Sequence, residues 1–291
     1  MSTHLVSEQV GQFFIGPDRL EFTEYGSGEE WVVLLHGQLM PRTMMAPLAR
    51  AMAGAGLHVV TLDLLGHGRS DRPEDPKEYS MTAFAEQVVA LLDHLGAPRA
   101  VVGGTSLGAN VSLEVAALAP DRVQGLLLEM PVLDNAVEAG ILAFGSLLFV
   151  ARYAPVAVHA TRWTTRLVPR RVAPLWLDVL LDTLGQKPGP MAAVVHGIFF
   201  GRVAPPSRQR RLIEAPALVV GHPGDPIHLA ADAEMLAAEL PRGRFLAASS
   251  ILEWRLRPER LDSEAVRFAR EAWQERPARR GRGSGRAGSA R

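Results

Sequence analysis

The chain has 291 residues, 47% of them hydrophobic, enough to bury a large core as one domain or as a domain carrying an insertion. Acidic and basic residues balance at 31 each, but residues 276–291 hold six arginines and no acid. The remainder is therefore net acidic, which speaks against nucleic-acid binding. Cysteine is absent, which excludes disulfides, thiolate catalysis and cysteine-ligated metals. Residues 1–10 lack the basic start and apolar core of a signal peptide. The longest apolar stretch, near residues 141–151, is too short to span a bilayer. A cytoplasmic protein with no membrane span is expected.

Residues 20–25 alternate weakly and predict an early antiparallel strand. Residues 31–35 are a solid apolar run that ends at His36-Gly37-Gln38, and residues 44–55 fit a helix closed by Gly56. The next strand, residues 58–62, runs into Asp63-Leu64-Leu65-Gly66-His67-Gly68-Arg69-Ser70. Ser80 is placed to cap a helix reaching about residue 95, with Ala83, Phe84, Val88, Leu91 and Leu92 as its apolar face. Ala100, Val101 and Val102 read as the end of a buried strand. Leu107, Val111, Leu113, Val115, Ala116 and Leu118 then recur at helical spacing. Between them lies Gly104-Thr105-Ser106-Leu107-Gly108. The glycines permit a tight corner there, and the helix N-terminus brings amide N–H groups to the hydroxyl's surroundings. That is the layout of a nucleophile elbow.

Residues 123–128 form a further strand. Continuous apolar strands separated by amphipathic helices indicate a parallel sheet covered on both faces. The alternation stops after Met130-Pro131, and residues 132–207 read as helix or loop, apolar and rich in proline and arginine. It resumes with strands at 217–220 and 244–248 and helices at 229–239 and 262–273. The expected organisation is an α/β core in two parts, residues 1–131 and 208–276, with a helical cap inserted at 132–207. Residues 277–291, made of Arg, Gly, Ser and Ala with one Pro, have no core-forming composition and are expected to be a disordered tail.

Over about residues 15–275 these features resemble the α/β-hydrolase superfamily. His36-Gly37-Gln38 is similar to the segment whose third amide helps build the family's oxyanion hole. Asp63 to Ser70 resembles its Asp-x-x-Gly-x-Gly-x-Ser loop, and Gly221-His222-Pro223-Gly224-Asp225 resembles the loop that carries the triad acid. The resemblance implies Ser106 as nucleophile, Asp225 as acid and the backbone N–H groups of Leu107 and Gln38 as oxyanion donors. His36, Gly37, Gly104 and Gly108 would support the site. Asp134 occupies the second place where this superfamily can carry its acid. No cofactor and no metal is implied. A serine at the elbow argues against a haloalkane dehalogenase or soluble epoxide hydrolase, for which the resemblance would require an aspartate.

One departure stands out. The family's general base is a histidine after the final strand, expected here near Ile251, and no histidine occurs beyond His228. The usual C-terminal catalytic histidine is lacking, so the general base is expected to be non-standard or missing. Three residues are candidates to replace it. His228, three residues beyond Asp225, is the provisional base; His222 is on the same loop and less well directed. Glu253 is either a carboxylate base or a structural partner of Arg255 or Arg257. Two functions follow: a serine hydrolase acting on an ester-like bond of a small hydrophobic substrate, or a catalytically lapsed member that binds a small apolar ligand or a protein partner. The cap residues Leu147, Leu148, Phe149, Val150, Trp163, Trp176, Leu177, Phe199 and Phe200 favour a hydrophobic ligand.

Overall fold

Alternation of side chains along apolar strands, with both faces covered, builds the centre of this molecule. The computed structural model describes residues 6–133, 145, 149, 153–165, 168, 175–225 and 227–275. Its eight strands are β1 (Glu8–Ile15), β2 (Asp18–Tyr25), β3 (Trp31–Leu35), β4 (His58–Asp63), β5 (Ala100–Thr105), β6 (Val123–Glu129), β7 (Ala217–Gly221) and β8 (Gly243–Ala247). They form one sheet in the order β1-β2-β4-β3-β5-β6-β7-β8. The pairs β1/β2 and β2/β4 are antiparallel, and every later pair is parallel.

Successive residues of β3 serve opposite cores. Val33 and Leu35 join the cluster that includes Phe84 and Val88 of α2 (Met81–His94) and Val111 and Leu113 of α3 (Leu107–Leu118). Val32 and Leu34 join the other cluster, with Ala49 and Met52 of α1 (Ala46–Gly54) and Ala265 and Phe268 of the last helix, Glu259–Gln274. The Ser80 hydroxyl caps α2 by accepting the Ala83 N–H at 3.0 Å, as its position predicts.

Two elements differ from the sequence reading. Strand β1 was not expected, because it is an edge strand with Phe13 as its one fully buried side chain and offers almost no apolar alternation. The segment after β8, to which the sequence reading assigned no element before residue 262, contains a short helix, Glu253–Leu256. Between β6 and β7 the described residues form the helices Pro155–Thr165, Leu175–Leu184, Pro188–Phe199 and Ser207–Arg210, with no strand. Asp134 and residues 276–291 lie outside the described residues.

The inserted segment is tied down at both ends by one side chain of α3. The Asn110 amide donates to the Val132 and Val203 carbonyl oxygens at 2.8 and 2.7 Å, and its oxygen accepts the Val132 N–H at 3.0 Å. Among the described residues no helix is long and apolar enough to cross a membrane.

Candidate active site

The C-terminal ends of β3, β5, β6 and β7 bring the site together. Each of the first three is followed closely by a non-glycine residue in the left-handed region: Leu39 at φ 61°, Ser106 at φ 55° and Met130 at φ 54°. Such conformations cost roughly 1–3 kcal/mol each and persist where the surroundings enforce them. The enforcement at Ser106 is visible. Its N–H donates to the Glu129 carbonyl at 2.8 Å, and α3 starts at the next residue. The flanking glycines are required by contact with β3. A Cβ at Gly104 or Gly108 would stand 2.2 or 2.3 Å from the Leu35 carbonyl oxygen.

After β7 the chain turns at Gly224 and presents Asp225 and His228 from a single loop. Asp225 Oδ1 accepts the backbone N–H groups of Ile227 at 2.8 Å and His228 at 2.9 Å. Its other oxygen, Oδ2, faces His228 Nδ1 at 2.9 Å. The opposite ring nitrogen, Nε2, lies 2.8 Å from Ser106 Oγ. A proton on Nδ1 satisfies both contacts, leaving Nε2 to accept from the hydroxyl. Burial opposes charge on Asp225, but the two backbone donors and the imidazole outweigh it and hold the carboxyl below the ordinary aspartate range. Asp225 is 8% exposed, while Ser106 and His228 are partly accessible.

This geometry overturns the expectation of a non-standard or missing general base. An imidazole reaches the serine, oriented by a carboxylate, in the chain order Ser, Asp, His. Only its origin differs: the histidine comes from the acid's own turn and not from the loop after β8. The lapsed-binder reading rested on the absent histidine and loses that support.

The other candidates have different surroundings. His222 is buried, with Nδ1 3.0 Å from the Ser250 carbonyl and Nε2 3.2 Å from Glu129 Oε1, so neither nitrogen is directed to Ser106. Glu253 accepts the Ser249 N–H and pairs with Arg260 at 2.7 Å; the guanidinium holds its pKa at about 2. That is a structural carboxylate, and its partner is Arg260 instead of Arg255 or Arg257. His36 is fully buried, places Nδ1 2.8 Å from the Gly37 carbonyl and accepts the Leu64 N–H on Nε2 at 3.1 Å. It braces the turn in which the Gly37 carbonyl accepts the Met40 N–H, with Gln38 inside that turn. Trp163, Trp176 and Phe200 of the inserted region are 62%, 66% and 70% exposed, so they present their rings to solvent. Phe149 is likewise exposed, while Leu177 and Phe199 are partly so. Leu147, Leu148 and Val150 lie outside the described residues.

Sequence reasoning missed Glu129. It ends β6 as a 3% exposed carboxylate, accepting from Thr105 Oγ1 and, at 2.8 Å, from Arg255 Nη2. Burial works against its ionisation, but Arg255, His222 and Thr105 hold its pKa at about 2. The available signal, which went unused, was an acid directly after the apolar run Leu126-Leu127-Leu128.

Comparison with known proteins agrees with this architecture. Residues 30–170 match the family model described as alpha/beta hydrolase fold. The chain is 35% identical over 129 residues to a haloalkane dehalogenase of Mycolicibacterium paratuberculosis, a match covering 43% of this chain and 42% of that protein. It is 40% identical over 96 residues to epoxide hydrolase B of Mycobacterium tuberculosis, covering 33% and 27%. The chain thus spans less than half the length of these two relatives. Among solved structures, the enol-lactonase of Burkholderia xenovorans LB400 superposes with a TM-score of 0.73 at 21% identity, covering 91% of this chain and all of that one. The sheet order, the strained serine at the start of α3 and the helical insertion between β6 and β7 are those of the α/β-hydrolase fold, and this chain has that fold.

Proposed function

We propose that this protein is a serine hydrolase that cleaves an ester-like bond in a small hydrophobic substrate through a complete Ser106–His228–Asp225 triad. The observation that carries this reading is the continuous path of contacts, 2.8 Å from Ser106 Oγ to His228 Nε2 and 2.9 Å from His228 Nδ1 to Asp225 Oδ2. His228 removes the hydroxyl proton as Oγ attacks the acyl carbon, and later returns it to the leaving group. Asp225 keeps the ring in the productive tautomer and stabilises the imidazolium that forms. The Leu107 N–H, in the first turn of α3, and the Gln38 N–H, in the braced turn after β3, are the donors for the developing oxyanion.

A hydroxyl–imidazole pair suits acyl transfer. Preference for an apolar substrate is supported by the inserted region. The support is its apolar composition; Val158, Met191, Val194 and Ile198 themselves pack into the core cluster. A fluorophosphonate probe and a series of short-chain p-nitrophenyl esters test the proposal together. Labelling and turnover by the wild type, with neither in Ser106→Ala, are expected. Absence of both from the wild type would overturn it.

A further inference from the structure

A buried histidine that the triad leaves unused sits at the root of the loop that supplies the base. His222 follows β7 directly and is 1% exposed. Nδ1 meets the Ser250 carbonyl at 3.0 Å, and Nε2 stands at ion-pair distance, 3.2 Å, from Glu129 Oε1 without the alignment of a hydrogen bond. A carbonyl at one corner of the ring and a carboxylate at ion-pair distance from the other favour the form in which both nitrogens carry protons. Glu129 in turn touches the nucleophile's corner twice. Its carbonyl accepts the Ser106 N–H, and its carboxylate accepts from Thr105 Oγ1. One acidic residue therefore joins the elbow to the loop three residues upstream of Asp225.

We propose that His222 is a positioning residue: as an imidazolium clamped between Glu129 and Ser250, it fastens the Asp225–His228 turn to the elbow and keeps His228 within reach of Ser106. This rests on the serine-hydrolase reading above and adds to it the group that sets the alkaline limit of activity. The charged and polar groups facing the pair are Glu129 of β6, Thr105 of β5, the Ser250 carbonyl after β8, and Arg255 of the helix Glu253–Leu256, whose guanidinium opposes charge on the ring. Burial also opposes that charge, but the Glu129 carboxylate and the Ser250 carbonyl outweigh both and lift the His222 pKa above the ordinary imidazole value. A group of this kind keeps its stabilising contribution at low pH and loses it as pH rises through its folded pKa. Loss of that proton points an Nε2 lone pair at a carboxylate, and the clamp opens.

The rate of Ser106 labelling then falls at high pH, along an alkaline limb set by deprotonation of His222. In His222→Ala, kcat for a p-nitrophenyl ester is expected to fall about 10- to 100-fold, the effect of slight misplacement of a reacting group, with KM changed far less. Glu129→Gln keeps the shape, the Thr105 contact and an amide donor for a neutral His222. It is expected to retain activity while losing the alkaline limb, and it serves if His222→Ala does not fold. A second readout needs no turnover. In 15N-edited NMR of the wild type, the His228 Nδ1 proton held by Asp225 is expected to be protected while His222 carries two ring protons, and to be lost as His222 titrates. An unchanged alkaline limb in both variants, or a His228 proton indifferent to His222, overturns the proposal. A protein that is never labelled yet shows the NMR coupling would overturn the hydrolase reading and leave the clamp standing.

Discussion

Asp225 and His228 are joined twice within one turn: the carboxylate takes the histidine's backbone N–H on one oxygen and faces its Nδ1 with the other. The loop thereby fixes acid and base relative to each other before either meets Ser106. Asp225→Asn is expected to lower kcat/KM by about 10³–10⁴-fold, because an amide can hold the ring in the wrong tautomer, and His228→Ala by a similar factor. Steady-state kinetics on a p-nitrophenyl ester checks both.

The same carboxylate gives a pH signature in stability. Its folded pKa lies below the ordinary value of about 3.9, so its contribution is present above that value and is lost as pH falls through the folded pKa. The stability gap between the wild type and Asp225→Asn should accordingly be widest near neutral pH and close as pH drops below about 4. Urea unfolding across that range reads the difference.

Backbone strain at the nucleophile predicts a trade of activity for stability. Ser106→Ala keeps a Cβ at φ 55°, whereas Ser106→Gly relieves the strain. Both variants should be inactive, and the glycine variant should be the more stable by about 1 kcal/mol, the lower range for such a backbone conformation. Calorimetry of the two variants side by side would refute this if the alanine form melted higher.

Gly108 has a packing role that any side chain would violate. Gly108→Ala sets a methyl against the Leu35 carbonyl oxygen, with backbone on both sides of the clash. A loss of about 1–3 kcal/mol is expected, as for overpacked cores. Slower labelling of Ser106 should accompany it, since the elbow has to shift.

Asn110 makes three hydrogen bonds across the two ends of the insertion. Asn110→Ala leaves partly buried backbone groups of Val132 and Val203 without these partners, at a cost of about 2 kcal/mol. A lowered Tm with kcat largely preserved is the expected result. A collapse of kcat with unchanged Tm would mean that Asn110 acts on the chemistry itself.

Most of the sheet was legible in the sequence because β3, β4, β5 and β6 are buried on both faces and therefore read as unbroken apolar runs. The elbow was legible for a related reason: its glycines and serine stand between such a run and a helical repeat. Strand β1 was not, since it pairs through its backbone and exposes most of its side chains. The base was read as displaced or absent because a histidine three residues past an aspartate gives no directional signal. Orientation came from the turn itself, in which two backbone N–H groups lock the carboxylate. Glu129 escaped notice for the opposite reason, as a local pattern says nothing about partners on β5, after β7 and beyond β8.

A base carried on the acid's turn, as proposed for His228, would release the segment after β8 from proton transfer. On the proposed triad every reacting side chain is in hand by residue 228, and the polypeptide beyond that point serves as a buttress. Its tip exposes Ile251 and Leu252 to solvent beside the Ser250 carbonyl that meets His222, so that buttressing runs through the backbone there and not through the two apolar side chains.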